Sequence, residues 1–183
     1  MSSAGYILTI LPSTSASSMP EVFERSGGEY ATDVGNVMSC VDGSSEMGTW
    51  SAPVGASAGE LCFLRIASTA PRRMAALASI SRALIAEPGL VTCVRREADF
   101  AKQFAGHIVG VARLGSDSVV AGGPNTAFAW LGSMAKVADG GVKVSTFGPG
   151  LRRVSTFGGI TRLDGDEVSE LLSRCGLSSA DVM

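Results

Sequence analysis

Apolar positions along the chain fall into short β-type runs and a few stripes of helical spacing. Residues 6–11 (YILTIL) are rich in β-formers and stop at Pro12, which predicts a first strand. Residues 59–66 (GELCFLRI) and 107–114 (HIVGVARL) predict two more, and residues 90–94 (LVTCV) a shorter one. Residues 118–121 are the expected hairpin partner of 107–114. Helical spacing runs over 69–87, where Met74, Leu77, Ser81, Leu84 and Ile85 recur every three or four residues and Pro88-Gly89 closes the run. A helix is also expected over 126–137, with Phe128, Leu131 and Met134 on one face and Trp130 in the core, and one or two helical turns over 97–104. Ser18-Met-Pro-Glu21 has the form of a capping box opening a short helix that ends at Gly27-Gly28. Asp164, with Glu167 three residues on, caps a last helix whose inner face is Val168, Leu171, Leu172 and Cys175 and whose stop is Gly176. Between the early elements, residues 29–58 read as a Gly/Ser-rich loop with one apolar run at 36–41, and Trp50 lies within it.

The pentapeptide VSTFG occurs twice, at 144–148 and 154–158, around Gly148-Pro149-Gly150. Both copies have strand composition and the segment between them is a turn, so one hairpin accounts for both. No longer period follows, and a repeat architecture needs about three units or more.

Composition adds bounds rather than a function. A chain of 183 residues, 45% hydrophobic and 17% charged, suits a single folded domain. The net charge of −2 gives no general pull toward nucleic acid or membrane. Charge is nonetheless uneven: residues 1–60 carry seven acids and one base, and residues 61–113 carry eight bases and three acids. The basic stretch holds Arg65, Arg72, Arg73, Arg82, Arg95, Arg96, Lys102 and Arg113, either as a solvated face balanced by the acidic segment or as a local anion-binding face. Four widely spaced cysteines and a single histidine, His107, offer no metal-ligand pattern, so neither metal nor cofactor is expected. Cys62 and Cys93 lie in apolar runs and read as buried thiols of a reducing compartment. With no basic leader and no long apolar run near its start, the chain is expected to be cytoplasmic and not membrane-bound.

Two motifs suggest enzymes. Residues 55–59 (GASAG) match G-x-S-x-G, but a loop precedes Ser57 and a strand follows it, the reverse of the strand-turn-helix setting a hydrolase needs. Residues 106–117 (GHIVGVARLGSD) are similar to the central strand of GNAT-type acetyltransferases. The glycine-spaced loop that would hold a cofactor pyrophosphate does not follow. A basic cluster before Ser155 resembles a kinase site, though on a segment expected to be strand.

Three stretches together resemble the PUA-like superfamily, particularly EVE-type domains: GYILTILP at 5–12, GELCFLRI at 59–66 and GHIVGVARLGSD at 106–117, with FGGITRLDGDEVSELL similar to the closing segment of some such chains. The resemblance covers about a quarter of the chain. It implies an α+β fold, a small curved β-barrel flanked by several short helices, in one domain spanning 1–183 with a helical insertion at about 68–105. It further implies a non-enzymatic module that binds nucleic acid or a nucleotide-like ligand, with a modified base read in a pocket of the barrel. Such a pocket needs an aromatic platform, polar groups for base edges and arginines for phosphates. The candidates are Trp50, Arg65, His107 and Arg113, with His107, Val109, Val111 and Arg113 expected on one face of their strand. The alternatives are a protein-interaction or self-assembly module, carried by Phe147 or Phe157 on an open hairpin edge, and a small acyltransferase or hydrolase using His107.

Overall fold

The structure, a computed structural model, describes residues 5–43, 46–84, 87–137, 140–143 and 159–182. Strand β1 (Gly5–Ile10) is buried at every position, as a strand covered on both faces must be. It pairs in parallel with the equally buried β3 (Leu61–Ile66) and antiparallel with β8 (Gly159–Leu163). β4 (His107–Leu114) lies antiparallel to β3 and carries β6 (Ala127–Lys136) on its other side, and β2 (Gly48–Ala52) completes the order β2-β6-β4-β3-β1-β8. Two short strands pair off this path, β5 (Val119–Val120) with β6 and β7 (Val142–Lys143) with β4.

The fold is α+β, and the sheet curls into an open half-barrel rather than closing. One face packs Tyr6, Leu8, Cys62, Leu64 and Ile66 against α1 (Met19–Arg25), α2 (Asp33–Val41), α3 (Ala70–Leu84) and α4 (Pro88–Phe104). The other face packs Ile7, Phe63, Ile108 and Val111 against α5 (Gly165–Arg174). The capping box on α5 forms as its sequence demands: Asp164 accepts from Glu167 N, and Glu167 accepts from Asp164 N.

Several expectations are corrected. Residues 127–136 are strand, not helix. Ala127, Ala129 and Leu131 are buried while Trp130 is 48% exposed, the alternation of a strand, so the three-residue spacing of Phe128, Leu131 and Met134 does not mark a helix face. Residues 90–94 begin α4 instead of forming a strand. Pro88 starts that helix rather than ending α3, and the buried set Leu90, Cys93, Val94, Glu97 and Ala101 holds helical spacing well past residue 94. The expected loop at 29–58 contains α2 and β2. Ser18 stands before α1 with helical backbone angles and no capping bond, its hydroxyl turned to Ser15, so no capping box forms there. Residues 119–120 pair with β6, not with β4. The expected hairpin over 144–158, with both VSTFG copies, Ser155, Phe147 and Phe157, lies outside the described residues; Val142 and Lys143 just before it pair with β4.

The face assignment on β4 also changes. Leu64 pairs with Gly110 but Arg65 pairs with Ile108, so Val109 is an extra residue opposite β3. Such a bulge breaks strict alternation. Val109 belongs to the helix-side core, whereas Val111 belongs to the α5-side core. His107 stacks edge-on against Phe104 of α4, on the helix side with Val109 and away from Val111.

Candidate functional site

The two ends of the open sheet meet across a cavity of about 700 Å³. Trp50, Thr49, Ser51 and Ala52 of β2 form one wall, and Gly159 and Ile160 of β8 form another. Leu8, Thr9 and Ile10 of β1 lie between them, Asp33 and Asn36 come from α2, and residues 125–128 lead into β6. That size is typical of small-molecule sites. A second cavity of about 690 Å³ lies between α2, α4 and the β4–β6 region, lined by apolar residues such as Phe100 and Phe104 and by the charged or polar Asp42, Arg96, Asp99, Gln103 and Lys136. The first cavity is taken as the candidate site because it holds Trp50, whose indole is fixed by a hydrogen bond, among the uncharged polar side chains of Asn36, Thr49, Ser51, Asn125 and Thr126.

Each of those groups has a local cause. Trp50 sits on β2 opposite Ala129, and its Nε1–H donates to the Met47 carbonyl at 2.6 Å. That bond fixes the indole and consumes its one donor, so the ring presents π surface and apolar edge. Asp33 opens α2 in the first turn, where a carboxylate suits the positive end of the helix. Its Oδ2 accepts from the Ser13 backbone N–H and from the Ser13 hydroxyl.

α2 is in turn held from α4. Glu97, with no solvent exposure, accepts from Ala31 N at 3.0 Å, Thr32 N at 2.9 Å, Thr32 Oγ1 at 2.8 Å and Cys93 Sγ at 3.2 Å. Thr32 is the residue that caps α2. Burial, the strongest influence, pushes the Glu97 carboxyl up, and the hydrogen bonds from Thr32, Cys93 and Ala31 pull the other way.

Among the four residues singled out from sequence, Trp50 alone lines this cavity. Arg65 is 3% exposed and donates to Ser68 Oγ at 3.0 Å, and burial pushes its guanidinium below the ordinary value. His107 places Nδ1 2.9 Å from the Ala105 carbonyl. Arg113 donates from all three guanidinium nitrogens to backbone carbonyls, those of Val182, Gly59 and Ser179, and so ties β4 to the final 3-10 turn, Ser179–Asp181. Arg113 stands opposite Leu61 and Arg65 opposite Ile108, so the two arginines lie near opposite ends of β3, about 13 Å apart along it at the usual strand rise.

Catalytic chemistry finds little support in the same geometry. Ser57 lies in the turn before Leu61, and His107 lies beyond the other end of β3, so the strand's length separates them. Burial pushes the thiols of Cys40, Cys62, Cys93 and Cys175 up to about 12, far from thiolate reactivity at neutral pH. Among the described residues no group of three or more His, Cys, Asp or Glu is placed to hold a metal ion, and no helix is long and apolar enough to cross a membrane.

The residues missed from sequence are Asp33, Asn36, Ser51, Asn125 and Thr126 around the cavity, and Glu97 behind it. Ser, Thr and Asn in turns give no periodic signal, and their convergence depends on the curl of the sheet. Searches against protein-family models, curated proteins and solved structures returned no match to this chain.

Proposed function

We propose that the protein is a non-enzymatic binding module that takes a nucleobase, free or carried on a nucleic acid, into the cavity between β2 and β8. The observation that carries this reading is the fixed indole of Trp50 facing a cavity that also holds Asn36, Ser51, Asn125 and Thr126. A flat heterocycle needs a stacking surface and polar groups for its edges, and those residues supply both. The cavity suits the base rather than its phosphate, because Asp33 is the one charged side chain among the described lining residues. Arg73 is exposed and reaches the Pro12 carbonyl beside Ser13, which gives a cation at the rim for a flanking phosphate. The PUA-like resemblance supports the same reading.

Tryptophan fluorescence titration with nucleosides and with short single-stranded RNA and DNA, at low and physiological salt, tests it. Saturable binding that persists in the higher salt and falls at least about fivefold in Trp50→Ala is expected, since stacking on one aromatic ring contributes about 1–3 kcal/mol. Binding that vanishes with salt would assign the effect to the basic helices instead.

A protein-interaction role is the second reading. It is favoured by Val119 and Trp130, 66% and 48% exposed on neighbouring strands. Sedimentation of the wild type against Val119→Glu decides between a self-associating face and a solvated one.

A further inference from the structure

The cavity's own electrostatics narrow its ligand, on the strength of the base-binding reading above. Trp50 cannot donate into it, because Nε1 is committed to Met47, and what remains of the indole is a π surface that attracts positive charge. Asp33 contributes a carboxylate that is anchored on one side only: both hydrogen bonds from Ser13 fall on Oδ2, and among the described residues none falls on Oδ1. The other polar lining groups, from Thr9, Ser13, Asn36, Thr49, Ser51, Asn125 and Thr126, are neutral, and no Lys, Arg or His stands among the described lining residues. A π surface and a half-anchored carboxylate, with no cation among the described lining residues and Arg73 held at the rim by the Pro12 carbonyl, make a cavity that favours positive over neutral rings.

We infer that the site selects a heterocycle bearing a delocalised positive charge, such as a base alkylated on a ring nitrogen, with Trp50 stacked on its plane and Asp33 accepting at its charged edge. A neutral base of the same size lacks both the cation–π attraction and the charge-assisted hydrogen bond.

The test uses the full chain carrying Trp130→Phe, so that Trp50 is the remaining tryptophan. It is titrated at pH 7 with two isomers: 3-methylcytidine, which is cationic there, and 5-methylcytidine, which is neutral. The expected result is quenching by both, with the cation bound about tenfold or more tightly, the range open to a desolvated cation–π contact plus a charged hydrogen bond. Asp33→Asn, which keeps an uncharged amide of the same shape at the start of α2, is expected to abolish most of that preference, read as the ratio of the two affinities in the variant against the ratio in the wild type. Equal affinity for the two isomers, or a preference that survives in Asp33→Asn, overturns the inference and leaves the base-binding reading standing. Binding of neither isomer removes the base-binding reading itself, and the inference with it.

Discussion

Glu97 is the side chain on which the arrangement around α2 depends most. It is buried among four donors, and a Cβ added at Gly35 would lie 1.9 Å from its Oε1, so the first turn of α2 closes on the carboxyl because position 35 has no side chain. Glu97→Ala leaves those donors without an acceptor and is expected to lose about 3 kcal/mol or more of stability in urea unfolding. Gly35→Ala is expected to cost about 2 kcal/mol by overpacking the same spot, and a neutral result would show that α2 moves freely over α4. The carboxyl also gives a pH signature. Burial raises it above its ordinary value of 4.5, so the folded chain holds the proton more tightly than the unfolded chain. Its stabilising share is therefore full below that value and is lost as pH rises through the folded one. The stability gap between wild type and Glu97→Gln should be widest in acid and should narrow on the way to neutrality; a gap independent of pH would contradict this.

At the scale of elements, Arg113 illustrates how a residue picked for function can be occupied by architecture. Two of its three carbonyl contacts, to Ser179 and Val182, hold the 3-10 turn Ser179–Asp181 against β4, and the third holds Gly59 ahead of β3. Arg113→Ala is expected to lower stability by about 2 kcal/mol, typical of losing charge-assisted hydrogen bonds, and to leave nucleoside affinity in the seam cavity unchanged. A loss of affinity at unchanged stability would return Arg113 to the ligand. The strands β1, β3 and β4 and the capped helix α5 were legible in the sequence, because dense β-formers bounded by Pro or Gly and an Asp-x-x-Glu start are local signals. β6 and the first half of α4 were not. The alanines of β6 gain their burial from β2 and β4 on either side, and the LVTCV run of α4 is too short to reveal its period until Glu97 and Ala101 are seen on the same face. Only Trp50 of the candidate site was found in advance, as an aromatic ring in a polar stretch ahead of β3. Its neighbours in space come from β1, α2, β8 and the approach to β6, a gathering that no local pattern announces.

For the molecule as a whole, the open sheet explains where a ligand can enter. A sheet curled toward closure brings its two end strands near each other without a ladder between them among the described residues, and the cavity occupies that gap. The exposed cations among the described residues of α3 and α4, Arg72, Arg73, Arg95, Arg96 and Lys102, do not line it. Binding of a single nucleoside should accordingly change less than about threefold between low and physiological salt, while any strand-length dependence should carry the steeper salt slope of phosphate contacts. A steep slope for the nucleoside alone would place the ligand on the basic helices. Location is thus the central claim, and amide chemical-shift mapping with a saturating nucleoside tests it most directly. The account predicts perturbations grouped at Asp33, Asn36, Trp50, Ser51, Asn125 and Thr126; perturbations confined to α3 and α4 would contradict it.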